Sequence, residues 1–312
     1  MALSESSCPV FVLYGALRSG TTLLRLILRA HPQIHSAHEN DFFLDHLHTT
    51  AEGVRLDVDG LSQDWVFRKS GLKVPSTTDG QAAFEDLLAQ HCGTHDGPTV
   101  LVLHRGLGRL LDRRPEIPVI HLIRDPRDVA RSSIGMGWVG TAWHGVRHWL
   151  RTERDWDLNA GRMPLVCTVY YEDLVRDPVQ ELTRICAFLG LSYDEAMMNY
   201  VETSTYSAID PAMAEQWRRK MTPRDIALVE HEAGELLESR GYAASGHPVT
   251  SPQAIERFKL NMRNRIGTWR TRTRRYGWMD PVSYGIAKRL GMRRIQQQIK
   301  SRLDAKRHSF LK

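Results

Sequence analysis

Pro9-Val10-Phe11-Val12-Leu13-Tyr14-Gly15-Ala16-Leu17-Arg18-Ser19-Gly20-Thr21-Thr22-Leu23-Leu24 is the stretch on which the fold turns. Pro9 to Tyr14 is an apolar run of strand length, and Thr21 to Ala30 places Leu23, Leu24, Ile27 and Leu28 on one face of a helix. Between them, Gly15 and Gly20 free backbone N–H groups beside the positive end of that helix, which makes a concave anion site. The spacing is that of a loop cradling nucleotide phosphates, but Thr21 stands where a lysine would reach the β- and γ-phosphates. Arg18 supplies the cation instead, and its planar fork suits an oxyanion. The loop therefore reads as a site for a 5′-phosphate ester or mixed anhydride handled without metal. The plainer alternative is a tight turn alone.

A second strand and loop run from Val119 to Ser132, Val-Ile-His-Leu-Ile-Arg-Asp-Pro-Arg-Asp-Val-Ala-Arg-Ser. Arg124 at the strand end and Ser132 eight residues on offer a phosphate a fork of donors and a hydroxyl from the first turns of a helix. A turn of mutually paired charges is the alternative at this point. A third strand leads through Tyr170-Tyr171-Glu172-Asp173-Leu174 into a helix around Pro178 to Leu189. Further on, Gln216-Trp217-Arg218-Arg219-Lys220-Met221-Thr222-Pro223 precedes an amphipathic helix through Ile226, Val229, Leu236 and Leu237.

In this order the motifs resemble those of sulfotransferases that use 3′-phosphoadenosine 5′-phosphosulfate (PAPS), with Gly-x-x-Arg-Ser-Gly-Thr-Thr-Leu as the 5′-phosphosulfate loop. The resemblance covers most of residues 9–242 and is specific at the two phosphate loops and the Tyr-Glu-Asp-Leu strand. It implies that Arg18, Ser19, Gly20, Thr21, Thr22 and Leu23 hold the 5′ end of the donor. Arg124 and Ser132 would bind the 3′-phosphate, Tyr171 would lie against the nucleotide, and Arg218 belongs to a basic segment closing over the 3′-phosphate. Sulfuryl transfer to an acceptor hydroxyl or amine then requires neutralisation of the bridging oxygen, a role for Arg18, and a base near the sulfur. Ala30-His31-Pro32 through His38-Glu39 is similar to the tyrosylprotein branch, which gives Glu39 as the base. His104 is the competing base. Relatives carry a lysine in this region, but none occurs between Lys73 and Arg124, so Arg105 is the nearest cationic replacement. No metal is expected. A P-loop small-molecule kinase using ATP and a non-enzymatic protein binding an anionic polymer are the alternative readings.

The strands expected at about 9–14, 100–103, 118–123 and 165–170, separated by helices, predict an α/β, P-loop-like three-layer αβα fold with a largely parallel central sheet. Both nucleotide loops then sit at carboxyl ends of strands. We expect a sulfotransferase domain over 1–250 and a basic, partly amphipathic C-terminal helical extension over 251–312. The extension holds 17 Lys and Arg against three acids, a charge of +14 that leaves the rest near −8 within the chain's +6. Phe258, Trp269, Tyr276 and Trp278 punctuate it, and Ile286, Leu290, Ile299 and Leu303 suggest an amphipathic helix. Such a tail suits a membrane surface, an anionic polymer or a second subunit, or is a solvated helix packed on the core; no nucleic-acid reading module accompanies it.

Cys8, Cys92, Cys167 and Cys186 form no Cys-x-x-Cys pair, and neither a secretory signal nor an apolar run of spanning length is visible. These features predict a cytoplasmic protein, peripherally membrane-associated through its tail. The histidines at 35, 38, 46 and 48 match no firm zinc spacing. Residues 52–99 read as helices and loops between the first two core strands. Acceptor recognition, for a small molecule or glycan, is expected there and around Gly135 to Trp149, where Gly137, Gly140, Trp138 and Trp143 suit either a lid or a loop with core tryptophans.

Overall fold

The computed structural model describes residues 8–277 together with 283, 289–292 and 295. Its strands are β1 (Val10–Gly15), β2 (Leu47–Thr50), β3 (Gly53–Leu56), β4 (Thr99–Leu103), β5 (Val119–Ile123) and β6 (Val166–Tyr170). Four of them form a sheet in the order β4-β1-β5-β6, with every pairing parallel. The four expected core strands are therefore present within a residue or two of their predicted ends.

Period-2 alternation sorts each strand's side chains between two layers. On one face Leu13, Val102, Ile120 and Cys167 share a rung and pack with Leu24, Ile27 and Leu28 of helix α1 (Thr21–Ala30) and Ile185 of the helix Pro178–Phe188. On the other, Val12, Tyr14, Leu101, Leu103 and Val119 meet Phe42, Phe43, Phe84, Leu107 and Trp156. Burying each such side chain contributes about 1.5–3 kcal/mol. The sheet thus lies between two helical layers, as the α/β pattern requires.

The edge of β4 is covered by an irregular segment. His35 and Glu39 make parallel bridges to Thr99 and Val102, and Asn40 closes a ring with Val102: its N–H donates to the Val102 carbonyl at 2.8 Å while its Oδ1 accepts from the Val102 N–H at 2.9 Å. Between this segment and β4 the chain forms helices at Val58–Gln63, Trp65–Ser70 and Gly80–Cys92, started by the carboxylates of Asp57, Asp64 and Asp79 accepting from first-turn amides. It also forms the antiparallel β2–β3 hairpin, absent from the sequence expectation of helices and loops. Only Leu47 and Leu56, an opposed pair at its base, are buried, so its pattern is too short for periodicity to register.

His91, in the helix Gly80–Cys92, is buried beside His35 at 5.2 Å between ring centres and Phe43 at 5.8 Å. Burial, aided by His35 and His38, pushes its pKa down to about 4. The unfolded chain therefore takes up a proton here before the folded one does. Stability is retained above the ordinary histidine value near 6.5 and falls as pH drops from there toward 4, by about 3 kcal/mol at most. His91→Phe is expected to flatten this acid limb, read as melting temperature between pH 7 and 4.5; an unchanged limb would show that other groups set it.

Two compact units divide the chain: residues up to 125 with 148–216, which hold the sheet, and 126–147 with residues from 217 on. In the second, the helix Ala254–Tyr276 packs on residues 136–144. The Gly140 amide donates to Asn264 Oδ1 at 2.7 Å, and a Cβ on Gly267 would lie 2.7 Å from the Gly140 Cα, so the two backbones touch only because both are glycine. Trp143 is buried with Leu228 and Leu260, and its indole N–H donates to Glu232. The Gly135–Trp149 region therefore realises the core-tryptophan alternative at Trp143 rather than the lid. Arg127 and Glu230 form a fully buried ion pair at 2.6 Å beneath the Trp217 ring. Trp278, Ile286, Ile299 and Leu303 of the tail lie outside the described residues. No described helix is long and apolar enough to cross a membrane.

Candidate functional site

The loop after β1 is built as an anion cradle. Gly20 takes a left-handed conformation (φ 101°) as the residue preceding α1, and a Cβ there would lie 2.4 Å from the Tyr171 ring. Arg18 is also left-handed, at φ 76°, a conformation that costs a non-glycine residue about 1–3 kcal/mol and that the surrounding loop must enforce. The first bond of α1 runs from the Leu24 N–H to the Gly20 carbonyl, so the amides of Thr21, Thr22 and Leu23 precede the hydrogen-bonded turn. No carboxylate occupies the first turn and no side chain caps it. The Ser19 hydroxyl is buried with no hydrogen-bond partner among the described residues, an arrangement that costs about 1–3 kcal/mol unless a ligand satisfies it. The Leu23 side chain is committed to the core, leaving only its backbone for a ligand.

Two threonines tie this loop to titratable groups. Thr22 Oγ1 donates to Glu39 Oε1 at 3.2 Å, and Thr21 Oγ1 lies 3.1 Å from His104 Nε2. Glu39 is carried there by its bridge to Val102, and Arg25 of α1 donates to the Ala37 carbonyl at 2.6 Å to fix the approach. His104 follows β4 directly. Its other ring nitrogen and its backbone N–H both face Asp41, at 2.8 Å each. Burial works against the imidazolium, but the Asp41 carboxylate, with Glu39 behind it, outweighs burial and raises the His104 pKa. Burial likewise pushes the Asp41 carboxyl up, while His104 and Arg105 together hold it below the usual range. Each partner thus favours the charged form of the other.

Arg105 is directed elsewhere. Its guanidinium forks onto the Asp45 carboxylate and lies 3.4 Å from Asp41. Among the sequence candidates, the structure gathers Arg18, Ser19, Gly20, Thr21, Thr22, Glu39 and His104 around one loop, with Arg105 turned to Asp45. Arg124 joins them through its own donors: its guanidinium reaches the Arg18 carbonyl at 3.1 Å and the Met213 carbonyl at 3.2 Å, and stacks 4.0 Å over the buried Tyr171 ring. Glu172 accepts from the Asp125 amide at 3.0 Å, which explains the acid of the Tyr-Glu-Asp-Leu run as a brace for the end of β5. Ser132, half-buried on the helix Pro126–Gly135, and Arg218, stacked 4.3 Å over Trp217, belong to the second unit.

Asp41 and Asn40 escaped the sequence reading. The available signal was their place in Glu39-Asn40-Asp41, but nothing local says that this run lies along β4. His46 and His48 pair with Asp64 and Asp57, at 3.2 and 3.9 Å. Among the described residues no group of three or more metal-ligating side chains converges.

The family model described as "Sulfotransferase family" matches residues 9–195. A carbohydrate sulfotransferase 1 from Danio rerio is 25% identical in an alignment of 187 positions that covers 48% of this chain and 43% of that protein. A putative protein-tyrosine sulfotransferase from Caenorhabditis briggsae is 31% identical in an alignment of 204 positions that covers 60% of this chain and 68% of that protein. The chain thus spans less than half the length of the carbohydrate sulfotransferases that it matches. In fold it is similar to the sulfotransferase domain of the Synechococcus PCC 7002 olefin synthase, with a TM-score of 0.54 and 23% identity, covering 75% of this chain and 98% of that one.

Proposed function

Because the chain belongs to the sulfotransferase family, we propose that it transfers the sulfuryl group of PAPS to an acceptor hydroxyl or amine. The observation that carries the reading is the loop itself: a left-handed Arg18, a buried Ser19 hydroxyl with no hydrogen-bond partner among the described residues, and a left-handed Gly20 packed against the Tyr171 ring. The donor fits these features through its 5′-phosphosulfate, with Ser19 and the amides of Gly20 to Leu23 as hydrogen-bond donors and Arg18 as the cation. Arg124, backed by Tyr171, takes the 3′-phosphate. Ser132, by its spacing from Arg124, and Arg218, by its place in a basic Trp-containing segment, join that assignment on the resemblance of the sequence alone. When bound, the donor supplies a sulfuryl group on a mixed anhydride that leaves readily.

The chain's own residues divide the remaining work. Glu39, oriented by Thr22, accepts the acceptor's proton. His104, whose pKa the Asp41 carboxylate raises against burial, suits the cationic role that lysine fills in relatives, in preference to the role of base. Arg105, engaged by Asp45, supports the same acidic pair rather than the reacting atoms. A carbohydrate, lipid-linked or secondary-metabolite acceptor is consistent with the carbohydrate sulfotransferase relatives and the basic extension over 251–312. The cytoplasmic setting expected from the sequence belongs to the same reading, with Cys8, Cys92, Cys167 and Cys186 present as thiols.

Calorimetric titration with adenosine 3′,5′-bisphosphate and with ATP tests the reading. Saturable binding of the bisphosphate, and weaker binding of adenosine 5′-monophosphate, are expected. Arg124→Ala should weaken the bisphosphate about 10–100-fold, the worth of charge-assisted hydrogen bonds, while affecting the monophosphate little. Ser132→Ala, a milder change, should act in the same direction. Wild-type protein that binds ATP and ignores the 3′-phosphate would point to a kinase instead.

A further inference from the structure

The helix Ala254–Tyr276 is amphipathic in an unusual sense: apart from Leu260 its inward residues are small or polar, and its other large apolar residues face out. Leu260, Asn261, Asn264, Gly267, Thr271 and Arg275 meet residues 135–144 and Leu228. Asn261 Oδ1 lies 3.0 Å from His144 Nε2, and a Cβ on Gly137 would sit 2.0 Å from the Thr271 methyl, so this face is fully committed. At 100° per residue, the opposite side of the helix carries Ile255, Phe258, Met262, Ile266 and Trp269. These are exposed to 72, 67, 39, 45 and 56% respectively, a continuous apolar stripe of four turns. Soluble surfaces rarely leave such a contiguous stripe in water without a partner.

Charge identifies the partner. Lys259, Arg263 and Arg270 border the stripe on one side and Arg265 and Arg272 on the other, while the helix's single acid, Glu256, is bound to Arg224. Two copies meeting along this stripe would bring like charges together on both flanks, and a register of Ile255, Phe258 and Met262 would next place Arg265 in the seam. An anionic lipid surface satisfies both parts at once: the Phe, Ile and Trp side chains enter the headgroup boundary while the flanking cations meet lipid phosphates and carboxylates.

We propose that the outward face of the helix Ala254–Tyr276 docks the protein on a membrane surface rich in anionic phospholipid. This goes beyond the sulfuryl-transfer reading and does not depend on it. The full-length protein would be sedimented with vesicles of phosphatidylcholine alone or with phosphatidylserine at about one lipid in three. Binding to the mixed vesicles only, weakened at high salt, is expected. The double substitution Phe258→Ser and Trp269→Ser should reduce that binding by about tenfold or more. Both side chains are exposed, so the melting temperature and the binding of adenosine 3′,5′-bisphosphate should stay at wild-type values, which separates failure here from failure of the donor site. The proposal is overturned by wild-type protein that remains in the supernatant with phosphatidylserine vesicles. Equal vesicle binding by the double variant would also overturn it, as would a dimer in solution that the same substitutions dissolve while no vesicle is bound.

Discussion

Glu39→Gln is expected to slow turnover by ~10²–10⁴-fold, the range for loss of a positioned general base, without weakening adenosine 3′,5′-bisphosphate. Glutamine keeps the volume and retains an oxygen to accept from Thr22 Oγ1, so the 3.2 Å contact can persist while the basicity is lost. His104→Gln should also reduce turnover, by ~10²–10³-fold, but through loss of a cation. The pH axis reports on the second of them. An imidazolium must stay protonated, and since Asp41 raises the His104 pKa, its contribution is present below the ordinary histidine value and is lost only as pH climbs through the elevated one. Asp41→Asn should therefore draw the alkaline limb toward lower pH. Near-wild-type turnover in Glu39→Gln, or an alkaline limb unmoved by Asp41→Asn, would reverse these assignments.

Glu230→Ala is expected to cost about 3–5 kcal/mol of stability, because it strands the Arg127 guanidinium in the interior. Both side chains are only 2% exposed. Glu230 accepts from Arg127 at 2.6 Å and from the Ser245 amide and hydroxyl at 2.9 Å each, and Arg127 also donates to the Ala243 carbonyl at 3.1 Å. The pair therefore fastens residues 243–245 to the helix Pro223–Ala233. A double substitution, Arg127→Met with Glu230→Leu, removes both charges together and should recover most of the loss, since what destabilises is the orphaned ion. Urea unfolding of the three proteins measures the difference. A single variant as stable as wild type would mean that water reaches Arg127.

These two sites differ in how far the sequence foretells them. β1, β4, β5 and β6 were legible because a parallel strand buried on both faces is an unbroken apolar run, and the loop from Gly15 to Thr22 because its glycines and Arg18 lie within eight residues. Glu39 and His104 were readable as candidates only one at a time. Their approach to neighbouring threonines depends on residues 35–40 lying along β4, a pairing between segments more than 60 residues apart. Arg105 was expected beside the reacting atoms because no residue near it in sequence announces Asp45 as its partner. The Arg127–Glu230 pair, 103 residues apart, carries no local signature at all. The exposed stripe of the helix Ala254–Tyr276 was half visible: periodicity reveals an apolar face, but which face turns inward is decided by Gly140 and Gly267, where contact between backbones outbids contact between side chains.

The ladder beside β4 also decides where the chain tolerates changes of length. Chain leaves that ladder at Asn40 and rejoins it at Thr99, so the fifty-odd residues between are anchored at both ends on the same edge. Lengthening or trimming the β2–β3 hairpin within them alters closure entropy by only about 0.6 kcal/mol per doubling. Glu39 sits upstream of the exit point and would not feel the change. The hairpin is accordingly a place where the chain can change length while the segment that carries Glu39 keeps its pairing with β4.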